Sequence, residues 1–101
     1  MRQVMVRYKV KPDRVAENEQ LVRAVYEELR RVAPAGLRYA TYRLDDGVSF
    51  VHVSSSEDER SPLPGLEAFR RFQENIRDRC EEQPVVTEVS EIGSFDGSGS
   101  A

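Results

Sequence analysis

Hydrophobic and polar residues alternate along the first stretch of the chain, residues 3–11. A period of two that is rich in β-branched side chains predicts a strand with one apolar face. The side chains on that face are Val4, Val6, Tyr8 and Val10.

The pattern becomes helical after Pro12. We expect Asp13 to cap a helix of about five turns, and Pro34 and Gly36 to end it. Apolar residues recur through it at steps of three, four and seven: Val15, Val22, Val25, Tyr26, Leu29 and Val32.

Two strands, a second helix and a last strand follow. Residues 37–44 and 48–54 are predicted strands joined by a turn at residues 45–47 (Asp-Asp-Gly), because glycine adopts the positive φ that such turns need. The second helix starts near Leu66 and is broken at residues 83–84 (Gln-Pro). Its apolar face is formed by Leu66, Phe69, Phe72, Ile76 and Cys80. Residues 85–92 are predicted to form the last strand.

The order of elements is therefore βαββαβ, which is typical of an α+β, ferredoxin-like fold. Such a fold has a four-stranded antiparallel sheet with both helices on one face. We expect one domain over residues 1–95 and a flexible Gly/Ser tail over 96–101.

Apolar residues occupy both faces of three predicted strands. In the third strand, Val48 and Phe50 fall on one face, while Val51 and Val53 fall on the other. Two helices can cover only one face, and soluble monomers seldom expose an apolar patch of several hundred Å². We therefore predict a homodimer with sheet packed on sheet. Twist and loops that cover part of that face are the alternative.

Composition limits the partners and the cofactors. The 101 residues carry a net charge of −3, which argues against nucleic acid or an anionic membrane as the main partner. One cysteine and one histidine exclude an internal disulfide and the usual zinc cages. No apolar run approaches the ~18–20 residues of a membrane span, and no secretory segment is visible, so we expect a cytoplasmic protein.

Three segments together resemble the antibiotic biosynthesis monooxygenase family. They are residues 6–13 (VRYKVKPD), 36–43 (GLRYATYR) and 50–53 (FVHV), and the resemblance covers residues 4 to about 93. It implies a dimeric α/β barrel with a pocket in each subunit between sheet and helices. It also implies oxidation of aromatic compounds by molecular oxygen without a cofactor, as in some members, or haem degradation, as in relatives.

The chain departs from the family at the positions that carry its chemistry. Members often have a Trp at the end of the third strand and an Asn four residues earlier, but Ser56 and His52 stand there, and the chain has no Trp. Haem-degrading relatives use an Asn near Val6 and a His on the second helix, and neither is present. Haem degradation is therefore not expected, and neither a cofactor nor a metal site is predicted.

His52 is the candidate catalytic residue. It shares a face with Phe50, and the resemblance places that face toward the helices and the pocket. An imidazole with a pKa near neutrality can take a proton from a phenol and leave an oxidisable phenolate. A structural histidine that is bonded to backbone or exposed near the strand end is the alternative. The residues expected to contact a bulky aromatic or apolar ligand are Tyr8, Tyr39, Phe50, Phe69 and Phe72.

Three functions follow from these observations. The first is a small monooxygenase-like enzyme that acts on an aromatic or apolar metabolite with His52 as base. The second is a non-catalytic dimeric protein of the same fold that binds a ligand or serves a structural role. RNA binding is disfavoured because residues 46–50 lack the basic residue and one aromatic of RNA-recognition modules.

Overall fold

The chain folds into a four-stranded sheet with helices packed on one side, as a computed structural model of residues 2–97 describes it. Neighbouring strands are antiparallel in the order β2-β3-β1-β4, which confirms the predicted α+β fold class. The helices and strands are β1 (Arg2–Val10), α1 (Val15–Val32), β2 (Leu37–Arg43), β3 (Ser49–Ser56), α2 (Glu67–Glu74), α3 (Ile76–Arg79) and β4 (Cys80–Glu88). The tail predicted at 96–101 lies outside the described residues from residue 98 onward.

The central strand pair, β1 and β3, decides which side chains point toward the helices. Tyr8 pairs with Phe50, and Val6 pairs with His52, so these four side chains share one face. The ring of Tyr8 packs against Phe72 of α2, with 6.1 Å between centroids, which identifies this as the inner, helix-covered face. The buried core on this side consists of Tyr8, Val10, Val25, Phe50, Leu63, Leu66, Phe72 and Cys80.

The β2–β3 turn forms where it was predicted. Gly47 has φ +79°, a left-handed conformation that favours glycine. Asp46 accepts hydrogen bonds from the Ser49 hydroxyl and from the backbone N–H groups of Ser49 and Val48. These three donors lower the pKa of the Asp46 carboxyl to about 2. The turn thus fixes the hairpin register that places His52 on the inner face.

The first helix starts differently from the prediction. Asp13 does not cap it, because Pro12–Arg14 form a short 3-10 turn closed by a hydrogen bond from the Arg14 N–H to the Lys11 carbonyl. The α-helix then begins at Val15 without a side-chain cap. Its end is close to the prediction, since Ala33 adopts φ +48° and donates its N–H to the Leu29 carbonyl.

The second helix is shorter than predicted, and it ends before Cys80. That cysteine begins β4, so it does not belong to the helical face, although it is buried as expected. Pro84 does not separate a helix from a strand either, because it lies within β4. An edge strand tolerates proline where its missing N–H is not needed by the ladder. The pairing of β4 with β1 shifts register beside Pro84, between Arg7 and Lys9.

The last strand therefore occupies Cys80–Glu88 and not residues 85–92. Val89 donates its backbone N–H to the Gln3 carbonyl just past the strand. Ile92 lies beyond it and is fully exposed.

The outer face of the sheet is also apolar, as predicted. Tyr42 is 58% exposed and Val85 is 63% exposed there. Arg7, Lys9 and Arg38 are the charged side chains at these positions of β1 and β2. The apolar outer-face residues are Met5, Ala40, Tyr42, Val51, Val53 and Val85.

Within residues 2–97, none of the helices combines the length and the hydropathy that a bilayer crossing requires.

Candidate functional site

A cavity of about 500 Å³ opens between the inner face of the sheet and the α2 side of the molecule. Five of the six predicted site residues contribute to its walls, while Phe50 does not. Phe50 is buried instead and stacks on Tyr8 with 5.6 Å between ring centroids, so it supports the cavity from the core. The five residues that line the cavity are Tyr8, Tyr39, His52, Phe69 and Phe72.

His52 is the polar centre of this cavity, with only 5% of its surface exposed. Its Nε2 lies 2.7 Å from the hydroxyl oxygen of Tyr8. Its Nδ1 lies 2.6 Å from the hydroxyl oxygen of Tyr39 and 3.2 Å from that of Thr41. Three side-chain hydroxyls, contributed by β1 and β2, thus surround an imidazole on β3.

Burial lowers the pKa of His52 to about 4, because desolvation penalises the charged imidazolium. No carboxylate within residues 2–97 forms a hydrogen bond with His52 that could offset this penalty. The pKa of His52 therefore lies well below the near-neutral value predicted from the sequence. Burial also raises the pKa values of the Tyr8 and Tyr39 hydroxyls, so His52 is neutral and both phenols are protonated at pH 7.

A buried polar chain leads from this site to the helices. Arg79 donates through Nε to the Asn18 Oδ1 at 3.1 Å, and Asn18 donates through Nδ2 to the Tyr8 hydroxyl at 3.0 Å. Asn18 and Arg79 are both 0% exposed. The Arg79 Nη2 donates to the Phe72 carbonyl at 2.7 Å, and its guanidinium lies 5.2 Å from the centre of the Phe72 ring.

A second set of hydroxyls continues on the other side of His52. The Tyr26 hydroxyl of α1 lies 2.8 Å from the Thr41 hydroxyl. The ring of Tyr26 stacks on Tyr39 with 5.3 Å between centroids. This stack holds the Tyr39 hydroxyl against His52 at the cavity wall.

Asn18, Arg79 and Thr41 were not predicted as part of the site. Asn18 follows Val15 by three residues and precedes Val22 by four, so it is a polar residue on the apolar stripe of α1. Arg79 similarly follows Ile76 by three residues. A polar side chain at an apolar helical position was the signal that could have identified the two buried members of the chain.

The described residues offer little other site chemistry. No group of three or more His, Cys, Asp or Glu side chains in residues 2–97 is arranged to hold a metal ion. Cys80 is buried, and burial raises the pKa of its thiol, which disfavours the reactive thiolate.

No protein-family model and no curated protein matches this chain. Solved structures do match it. An antibiotic biosynthesis monooxygenase has 22% sequence identity and a TM-score of 0.74, with 92% of this chain and 100% of that one covered. A Nitrosomonas europaea protein provisionally named an antibiotic biosynthesis monooxygenase has 16% identity and a TM-score of 0.77, with the same coverage. A Mycobacterium tuberculosis protein has 18% identity and a TM-score of 0.74, with 94% of this chain and 98% of that one covered.

These similarities extend over nearly the whole described chain, while sequence identity stays low. They therefore support a statement about the fold, and they confirm the fold that the resemblance over residues 4 to about 93 implied. The chain has the fold of the antibiotic biosynthesis monooxygenase structures.

Proposed function

We propose that the protein binds a bulky aromatic or apolar metabolite in the inner-face cavity and oxidises it with molecular oxygen, without a cofactor. The observation that carries this proposal is a cavity with aromatic and aliphatic walls and one buried imidazole, His52, at its polar centre. A volume of about 500 Å³ suits a ligand of several rings. The names of two similar structures favour the same chemistry.

The proposed proton route runs from the substrate through Tyr8 to His52. Tyr8 lines the cavity and its oxygen lies 2.7 Å from His52 Nε2, so it can accept a phenolic proton from the substrate while passing its own to the imidazole. The low pKa of His52 opposes this transfer. A phenolate formed nearby favours the imidazolium in return, because opposite charges at close range stabilise each other.

Oxygen uptake with quinol-type substrates tests this function. We expect His52→Ala to lower the rate by ~10²-fold or more, the usual contribution of a general base. Tyr8→Phe should lower it as well, because the relay loses its hydroxyl. Tyr42→Phe is the matched control, since that tyrosine lies on the outer face. Equal rates for the wild type and His52→Ala would remove His52 from the mechanism.

Ligand binding without catalysis is the second candidate, and the pKa of His52 favours it. An imidazole with a pKa of about 4 and both nitrogens hydrogen-bonded is a weak base. A thermal-shift series with the same aromatic compounds distinguishes the two functions. Stabilisation by ligands without oxygen uptake would indicate a binding protein, and no shift with any compound would indicate a structural role.

We also propose that two copies associate through the outer face of the sheet. The apolar side chains there have no helix above them, and burial of such a surface at about 25 cal/mol per Å² favours association. The twofold arrangement would leave both cavities on the outside of the paired sheets.

Sedimentation at micromolar concentration checks this assembly. We expect a dimer for the wild type and a monomer for Val53→Asp, because the new carboxylate would be buried unpaired at the interface. Gln20→Glu on the exposed side of α1 is the control and should stay dimeric. A monomeric wild-type protein would refute the assembly.

A further inference from the structure

The direction of the buried hydrogen-bond chain is set by the one member that can only donate. Arg79 has no acceptor atom on its guanidinium, so the Asn18 oxygen must face it and the Asn18 amide nitrogen must face Tyr8. The Tyr8 oxygen consequently accepts from Asn18. Its own hydrogen then points to its remaining partner, His52 Nε2, 2.7 Å away.

This direction determines the form of the imidazole. If Nε2 accepts from Tyr8, the neutral ring carries its hydrogen on Nδ1. That hydrogen is donated toward the Tyr39 oxygen at 2.6 Å, with Thr41 at 3.2 Å. With the hydrogen on Nε2 instead, Tyr8 would receive two donors, and its own hydrogen would have no protein acceptor within residues 2–97.

The same direction decides what the cavity offers to a ligand. In the Nδ1–H form the Tyr39 oxygen accepts from His52, so the Tyr39 hydrogen is not used on the ring. Tyr39 lines the cavity and can direct that hydrogen either to the Thr41 hydroxyl, its other side-chain hydrogen-bond partner, or to a bound oxygen atom. In the Nε2–H tautomer, Tyr39 would instead donate that hydrogen to His52 Nδ1.

We propose that Arg79 and Asn18 are positioning residues that hold His52 in its Nδ1–H tautomer and thereby leave the Tyr39 hydroxyl hydrogen available to a carbonyl or ether oxygen of a ligand. Neither residue lines the cavity, and both are fully buried. The tautomer follows from the protein's own hydrogen bonds, while its consequence for the ligand rests on the proposed function.

The protein is well suited to a direct test, because His52 is its only histidine. Two-bond ¹H–¹⁵N correlation of protein labelled with ¹⁵N-histidine reports on both ring nitrogens without overlap. At pH 7 we expect the wild type to show a protonated Nδ1 and an unprotonated Nε2. An Nε2–H ring in the folded wild type would overturn the proposal without any variant.

Asn18→Asp should reverse the tautomer. The carboxylate would accept both from Arg79 and from the Tyr8 hydroxyl, so the Tyr8 oxygen would accept from His52 and the ring hydrogen would move to Nε2. Arg79→Lys keeps a donor at the same place and should retain Nδ1–H. Gln20→Glu adds a similar charge to the exposed side of the same helix and should leave the spectrum unchanged.

A folded Asn18→Asp protein that keeps the Nδ1–H tautomer would contradict the role of Asn18. If Gln20→Glu also reversed the tautomer, the reversal in Asn18→Asp would be an effect of net charge, which would contradict that role as well. If Asn18→Asp does not fold, the wild type and Arg79→Lys still decide, and loss of Nδ1–H in Arg79→Lys would contradict the role of a donor at residue 79. These spectra need no substrate. Absence of oxygen uptake would therefore refute the proposed function and leave the tautomer assignment standing.

Discussion

Replacing Phe72 by alanine should lower the free energy of unfolding by about 3–5 kcal/mol, the usual cost of deleting a buried aromatic ring. Phe72 is 5% exposed. Its ring lies 5.2 Å from that of His52 and 6.1 Å from that of Tyr8, and the Arg79 guanidinium lies over its face. The alanine variant would lose these contacts and leave the arginine charge buried without its aromatic neighbour.

Phe69→Ala is the matched control, because it deletes the same ring from the same helix at a partly exposed position. Urea denaturation at one fixed protein concentration measures both variants, since the proposed association would make stability depend on concentration. We expect the smaller loss for Phe69→Ala. A loss for Phe72→Ala well below about 3 kcal/mol, or one smaller than that of Phe69→Ala, would contradict the prediction.

Acidification from pH 7 to pH 4.5 should cost the wild-type protein about 2–3 kcal/mol of stability through His52 alone. Burial lowers the folded-state pKa of His52 to about 4 from 6.5. Between these values the unfolded chain binds a proton that the folded chain excludes. The contribution is therefore fully present above pH 6.5 and is lost as the pH falls toward 4.

His52→Gln removes the titrating group and keeps a hydrogen-bonding side chain, so its stability should change much less over the same interval. Asp46 and Glu17, whose pKa values are lowered by their donors, contribute stability that is lost mainly as the pH falls below their ordinary values of 3.8 and 4.5, so they add little to the change down to pH 4.5. Chemical denaturation at pH 7, 5.5 and 4.5 measures the difference. If the free energy of unfolding fell with pH as steeply in His52→Gln as in the wild type, His52 would not be the source of the acid destabilisation.

The fold was predictable because its signals are local. Alternation along residues 4–10 and 48–54 placed Tyr8, Phe50 and His52 on one face, and the turn at Asp46 and Gly47 set the register between β2 and β3. The end of the second helix was not predictable in the same way. Residues after Cys80 fit a helical or an extended pattern, and pairing with β1 decided the outcome.

The candidate site was predictable only in part, for a similar reason. Strand periodicity gives the face of a side chain, but it does not give the distance between hydroxyls and an imidazole. The pKa of His52 depends on how completely the helices exclude water from it, which is a property of packing. Asn18 and Arg79 are 61 positions apart, and only the tertiary structure brings them together.

Because side chains alternate along β3, this one short strand contributes to both faces of the sheet. His52 points to the inner-face cavity, while its neighbours Val51 and Val53 lie on the outer face. A single substitution can therefore alter one face without altering the other. An insertion or deletion of one residue between Ser49 and Ser56 would instead move the side chains that follow it to the opposite face. We expect length changes in evolving relatives of this chain to accumulate in the loops at the ends of β3 and to avoid its interior.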